Sequence, residues 1–417
     1  MAQNPHVIGD EWERDIMRIA VIGTGVAGSL LAEMLQGHRG ITLDAFDRLA
    51  PGEEAEAGTG LNVGPNAMKA LRLHLPQRHA AVRAAALPWS RWTIEMADGE
   101  RLFDLDLAEV AEEPGIRLRW SALYDVLRAP MAGRTRRGCT LEALEEDAKG
   151  RLVPVLREGG GLIRPGGYDL LVAGDGRYSA LRAITLGAPK SRLHGVALTR
   201  LLVPDASGAP LDDYGQWFNG AARLLAYKLP GGSAYIAGSV PLDAAEAEIP
   251  AAARSAGFQH ALYTPPGRIA PAMAWMRDRL VEHAPRLHWA RLQESPLERM
   301  ALDGRVLLLG DAAHAMLPTL GQGATQAVED GVLAGAVLRA GGGPEAVARL
   351  RDSRVEWVRQ FSLEASDTLL PGFSPLAREA RAGSLAKSGA GFMAQLRRLY
   401  TEVPGPEAVS AGLVEQV

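Results

Sequence analysis

The sequence predicts an α/β protein: a Rossmann-like nucleotide fold, an inserted and mostly antiparallel β-sheet, and a helical C-terminus. Three observations carry that prediction. An apolar run near the start meets a glycine-rich turn and then an amphipathic helix. Alternating strands broken by Gly, Pro and Asp fill the middle of the chain. A second buried strand then ends in Gly310-Asp311 and leads into a long helix.

Ile19 to Ile22 is a short apolar run ending at glycine, as a strand covered on both faces should be. Gly23, Gly25 and Gly28 then spell G-x-G-x-x-G, and Ala27, Leu30, Leu31, Met34 and Leu35 share one helical face. The glycines serve a tight turn, close approach of backbone to a pyrophosphate, and close helix–strand packing. The helix N-terminus, at Val26 and Ala27, offers N–H groups to that pyrophosphate. Gly40 is expected to end the helix, and Ile41, Leu43 and Ala45 alternate along a second strand to Asp47, placed to accept hydrogen bonds from a ribose. The competing reading is a glycine turn in an ordinary βαβ unit.

Residues 51–64 are acidic and Gly-rich, and 65–75 have helical spacing. A hairpin pattern over 89–107 turns at Asp98-Gly99, and a helix follows at about 120–127. Strands are expected at 152–156 and 168–172, then at 194–203, 216–218, 224–229 and 234–240. A helix covers about 271–282, a buried strand 305–309, and a helix 321–339. The glycine patterns at 341–346 and 389–394 read as turns.

With 417 residues, 47% of them hydrophobic and 23% charged, the chain holds two domains sharing a boundary. A net charge of −4 with no basic block argues against nucleic-acid binding. The single cysteine, Cys139, excludes an internal disulfide and a cysteine-based zinc site, which suits the cytoplasm. No run of 18 apolar residues points to a membrane span, and residues 1–15 read as a loose arm without the apolar core of a signal peptide. No H-E-x-x-H, G-K-[ST] or G-x-S-x-G motif is present, and no metal is expected.

Two further stretches give the chemistry. One contains Ala-Gly-Asp175-Gly176 and Arg182; the other runs Gly310-Asp311-Ala-Ala-His314 to Pro318 and Gly321-Gln322-Gly323-Ala324. At these residues the chain resembles the class A, single-component FAD-dependent aromatic hydroxylases, the family of p-hydroxybenzoate and salicylate hydroxylases. The resemblance covers roughly residues 18–351, including Gly60-Leu-Asn-Val-Gly-Pro-Asn66. It implies a GR2-type FAD-binding domain over 17–88, 118–186 and 297–365, a substrate domain over 89–117 and 187–296, and a helical segment over 366–417.

The resemblance also implies FAD contacts from Gly23, Gly25, Val26, Ala27, Gly28, Asp47, Arg48, Arg119, Asp175, Gly176, Asp311, Gly321, Gln322, Gly323 and Ala324. Asp311 suits a hydroxyl of the ribityl chain, the competing reading being a cap of a short turn. Pro318 and Gly321 to Gly323 bring a helix N-terminus to the flavin N1/C2=O edge, where reduction develops negative charge. The motif Asp175-Gly176 with Arg182 is linked in the family to both FAD and the nicotinamide donor. The chain departs from the family at Trp120, where an arginine is frequent (Arg119 comes one residue early), and at Thr325, where asparagine is frequent. His314 is read as structural.

The implied activity is hydroxylation of an electron-rich aromatic or N-heteroaromatic acid by O2 and NAD(P)H through a C4a-hydroperoxyflavin, in a monomer or homodimer. The alternative is an FAD-dependent reductase or dehydrogenase without oxygen insertion; a nucleotide-free scaffold of the same fold is a third reading. Arg200, in the middle of a strand, is the candidate for a substrate carboxylate, with a salt bridge or a solvent-facing role as alternatives. Tyr214, Trp217, Tyr227 and Tyr235 are candidate ring contacts that also read as sheet core. Short matches at 200–204 and 396–400 look like the pyridine-ring oxygenases of the family.

Overall fold

The computed structural model describes residues 16–50, 53, 59–242, 248–366, 369 and 377–414, with 377–380 and 413–414 described by backbone alone. The expected arm at 1–15 and most of the acidic stretch after Pro51 lie outside the described residues.

Six strands form the first sheet in the order Met300–Ala301, Val306–Leu308, Leu170–Ala173, Met17–Ile22, Ile41–Asp47 and Thr135–Arg137. All neighbours are parallel except the first pair. Ile19, Ala20 and Val21 are completely buried because both faces are covered. On one side lie the helices Val26–Leu35 and Gln322–Arg339, in one apolar cluster with Ile19 and Val21. On the other lie Leu141, Leu152 and Leu156 of a three-stranded antiparallel sheet. The two helices meet at glycine: a Cβ on Gly331 would stand 2.5 Å from the Ala27 carbonyl oxygen.

The first helix stops earlier than the sequence suggested. It ends at Leu35, and Gly37, at φ 72°, takes the left-handed turn that releases the chain. Gly40 instead lies in the turn just before the next strand, its carbonyl accepting the Met17 N–H at 3.0 Å.

The second sheet has seven strands in the order His288–Glu294, Arg192–Val203, Ala234–Pro241, Ala222–Lys228, Tyr214–Asn219, Arg91–Met96 and Arg101–Asp106. Only the pairing of Tyr214–Asn219 with Arg91–Met96 is parallel. A smaller sheet, Gly60–Val63, Gly115–Arg119 and Leu87–Trp89, has no counterpart in the sequence reading. The C-terminal helices Pro344–Glu364 and Ala390–Thr401 send Val355, Phe361, Leu396 and Tyr400 into the apolar cluster of the large sheet. Cys139 is buried, and burial pushes its thiol up to about 11, which makes it inert at neutral pH.

Candidate cofactor and substrate site

The fingerprint turn is built as its glycines require. Gly23 has φ 88°, and a Cβ there would stand 2.5 Å from the Asp175 Cα; one on Gly28 would meet the Gly23 carbonyl oxygen at 2.1 Å. The helix starting at Val26 has no side-chain cap at Gly25, so its first N–H groups are left for a ligand. Asp47 is buried and already engaged. Its Oδ2 accepts from the Thr24 N–H (2.8 Å) and hydroxyl (2.6 Å), with Arg128 Nη2 at 3.4 Å, and its Oδ1 accepts from the Leu49 N–H (2.9 Å). Asp47 therefore ties the second strand to the fingerprint turn and keeps hydrogen-bonding capacity on Oδ1 alone. Beside it, Thr24, Tyr124, Arg128, Met131 and Arg137 help line a cavity of about 260 Å³. The side chains of Arg48 and Arg119 make no hydrogen bond or ion pair among the described residues.

At the far end, Gly310-Asp311 follows the buried strand Val306–Leu308. Asp311 is half-exposed, 3.8 Å from Arg177 Nε, and a Cβ on Gly323 would stand 3.8 Å from its Oδ1. Gly321 is left-handed (φ 65°) and starts the helix Gln322–Arg339, again without a side-chain cap. A Cβ on Gly321 would meet Asn62 Nδ2 at 2.4 Å, and that buried amide nitrogen has no partner. Thr325 joins this helix to the Gly60–Val63 strand, its hydroxyl accepting the Gly64 N–H at 2.9 Å. Pro318 is exposed at the start of the preceding turn, and Ala324 is half-buried.

Two uncapped helix N-termini, two unpaired arginines, an orphaned amide at Asn62 and an orphaned Asp175 Oδ1 fit a long anionic dinucleotide with a polar ring. FAD fits the residues present: Gly23 to Gly28, Arg48 and Arg119 for its pyrophosphate, Asp47 and the cavity for its adenosine, and Asp311, Asn62 and Gly321 to Ala324 for its ribityl and ring.

Other side chains of the motifs hold the frame. Asp175 Oδ2 accepts the Ala180 (2.8 Å) and Leu181 (3.3 Å) N–H groups at the start of the helix Ala180–Leu186, and burial pushes its carboxyl up against those bonds. Gly176, at φ 79°, supplies the turn between. Gln322 is buried, its Oε1 accepting from Asn66 (3.1 Å) and Gln326 (3.0 Å). The implied link of Arg182 to the nicotinamide meets a physical obstacle. Arg182 is buried, and its Nη1 donates to the Ala312 (2.9 Å) and Ala313 (3.3 Å) carbonyls, so it clamps the turn after Asp311.

Beneath the two motifs lies a fully buried charge network. Asp330 Oδ2 accepts from the Gly310 N–H (2.9 Å), His314 Nε2 (2.7 Å) and Arg299 Nη1 (2.8 Å). Arg351 bridges Asp330 (2.8 Å) and Glu329 (2.6 Å). Burial alone would raise Asp330, but Arg299, His314 and Arg351 outweigh it and hold the carboxyl well below its ordinary range. His314 is thereby structural, as its residue context suggested.

The large sheet supplies the opposite wall. Its register places three rows of side chains on the face turned toward the 316–320 turn. Trp92, Tyr214, Tyr227 and Tyr235 form the first row; Gln216, Leu225, Ala237, Arg200 and His288 the second; Phe218, Arg223, Ser239 and Leu198 the third. Leu198 packs with Leu317, and the tyrosines share one cluster with Met316 and Leu320. Arg200 is half-buried on this face, and its side chain has no hydrogen bond or ion pair among the described residues.

Three aromatic assignments are corrected. Trp217 points to the other face, packs with Met273, Met276 and Leu280, and donates its indole N–H to Glu95 at 2.8 Å. Tyr227 is 1% exposed and wedged between Tyr214 (centroids 5.6 Å apart, stacked) and Tyr235 (5.2 Å), leaving no ring face for a ligand. Tyr214 is also core, its ring packed against Trp89 and Tyr227, with burial pushing its phenol up to about 12 and its hydroxyl accepting from Gln216 Nε2 at 3.2 Å. The sequence reading missed Asn62, Tyr124, Arg128, Arg177, Gln216 and Arg223. A strand begun at 224 left Arg223 outside; begun at Ala222, as observed, its alternation puts Arg223 in line with Tyr227.

A family model described as an FAD binding domain matches residues 279–362. The chain is 30% identical over 343 residues to an FAD-dependent urate hydroxylase of Klebsiella pneumoniae, covering 78% of this chain and 82% of that one. It is 25% identical to a 6-hydroxynicotinate 3-monooxygenase of Bordetella bronchiseptica, covering 76% and 81%. The structure of Klebsiella pneumoniae HpxO complexed with FAD and uric acid superposes with a TM-score of 0.67 at 24% identity, covering 96% of each chain.

Proposed function

The chain belongs to the family of FAD-dependent aromatic hydroxylases, and on that premise we propose that its substrate is an aromatic or N-heteroaromatic acid whose carboxylate is held by Arg200. FAD, when bound and reduced by NAD(P)H, supplies the oxygen-activating chemistry. The chain's own residues position the ring, exclude water and favour its electron-rich form. The observation that carries this reading is Arg200: a half-buried guanidinium without a counter-ion among the described residues, on the sheet face opposite the turn from Met316 to Leu320. A partly desolvated arginine left unpaired suits a ligand carboxylate, which its planar fork grips in two places. The tyrosine row packs the floor of the site, and Pro318 and the uncapped helix at Gly321 bound the opposite side.

The heteroaromatic lean follows from the relatives, since one is named for urate and another for 6-hydroxynicotinate. The same reading places the enzyme in the cytoplasm, as a monomer or homodimer with small-molecule partners. The test is a panel of hydroxybenzoates, hydroxypyridine carboxylates and purines, scored by substrate-stimulated NAD(P)H oxidation and by mass spectrometry for one added oxygen. Stimulation by acids, with the corresponding amides inert, is expected. Equal stimulation by acids and amides would remove the carboxylate from the proposal.

A further inference from the structure

Arg223 is 6% exposed and sits in the third row of the same sheet face, between Phe218 and Ser239. A guanidinium stays charged even when buried, and burial without a counter-ion is costly. Yet among the described residues no carboxylate reaches it. Its only side-chain hydrogen bond among the described residues is a long one, Nη1 to Gln216 Oε1 at 3.4 Å. Contrast Arg351, equally buried, which has two carboxylates and an amide oxygen around it. The fold can satisfy a buried arginine and does not do so here.

The surroundings of Arg223 turn it toward the substrate side. Tyr235, one strand away, is 8% exposed; its hydroxyl has no hydrogen bond among the described residues and feels the charges of both Arg200 and Arg223. The two arginines lie two strands and one row apart, roughly 12 Å between Cα atoms. Both lie on the face that carries Tyr235, with Arg200 one row and Arg223 two rows from it. Burial also pulls the Arg223 guanidinium below the usual arginine value.

We propose that Arg223, supported by Gln216, is a second anion-recognition point of the substrate site. The preferred substrate is then an aromatic or heteroaromatic ring with two acidic groups: a carboxylate met by Arg200, and a second anionic oxygen met by Arg223. That second oxygen is another carboxylate or an ionised ring hydroxyl. This inference rests on the proposed role of Arg200 and adds the second charge.

The test titrates the FAD-loaded protein with benzoate, terephthalate, isophthalate and a ring-fluorinated 4-hydroxybenzoate ionised at neutral pH, read by the flavin absorbance change. In the wild type, at least one two-anion ligand should bind tenfold or more tightly than benzoate. The dicarboxylates and the phenolate separate the two sources of the second oxygen. In Arg223→Gln that preference should fall to within twofold, with benzoate affinity changed less than threefold. Because an unpaired charge is removed, the melting temperature of ligand-free Arg223→Gln and Arg223→Met should be unchanged or raised. Benzoate binding without any gain from a second anion, seen already in the wild type, would overturn the role of Arg223 and leave Arg200 standing. A lowered melting temperature with the preference intact would make Arg223 structural. No response to any ring acid would remove both readings.

Discussion

Replacing Glu329 by Gln probes whether the buried charge network holds the cofactor loops in place. Glu329 is completely buried. Its Oε2 accepts from Arg351 (2.6 Å) and Arg354 (2.7 Å), and its Oε1 from Asn66 (2.6 Å), Arg354 (3.0 Å) and Gln326 (3.1 Å). Burial would raise the carboxyl, but Arg354 and then Arg351 outweigh it and bring it from 4.5 down to about 2. At 1.36 kcal/mol per pH unit, that depression is worth about 3 kcal/mol at neutral pH. Breaking a buried pair from one side costs a similar ~3–5 kcal/mol. The sign follows from the direction of the depression. The stabilisation is complete above pH 4.5 and fades as pH falls toward 2, so about half should remain at pH 3. Urea unfolding of the FAD-loaded protein should therefore place Glu329→Gln about 3 kcal/mol below wild type at pH 7 and about 1.5 kcal/mol below at pH 3. FAD should also dissociate faster, because Asn66 and Gln322 lose the anchor that fixes the Gly60–Val63 strand against the helix at Gly321. A difference below about 1 kcal/mol at pH 7, or one that does not shrink at pH 3, would refute the reasoning.

Substitutions at three further positions follow from the same geometry. Asp47→Ala releases Thr24 as well as any ribose contact, so FAD affinity measured by flavin fluorescence should fall by about 1.5–3 kcal/mol; unchanged affinity would free Asp47 from that role. Asp47→Glu should also weaken FAD, because an added methylene displaces the paired Thr24 contacts at 2.6 and 2.8 Å. Gly331→Ala puts a methyl 2.5 Å from the Ala27 carbonyl and should cost about 1–3 kcal/mol in denaturant unfolding while loosening FAD; a stable variant would show that the helices separate freely. Arg200→Lys should weaken substrate binding and Arg200→Ala weaken it by about 2–5 kcal/mol, with normal FAD content; a lowered melting temperature with normal affinity would make Arg200 structural.

What the sequence determined by itself was the nucleotide fold and its family. Those signals are local: a strand, a three-glycine turn and a helix face are written within 20 residues, and Gly310-Asp311 to Ala324 is nearly as compact. A turn that needs glycine has no other residue to use, so Gly23 and Gly28 are legible without knowing what packs on them. The substrate wall was not legible in the same way. Both faces of the seven-stranded sheet are covered, so Trp217 and Phe218, on opposite sides, are equally apolar neighbours in the chain. Only strand register decides which one faces the 316–320 turn. The roles of charged groups were equally non-local. Arg182 and Arg223 are both buried arginines, yet one meets carbonyls more than 100 residues away and the other meets no carboxylate among the described residues. The tertiary structure alone decides that difference, because the partner of a buried charge is set by what the fold brings beside it.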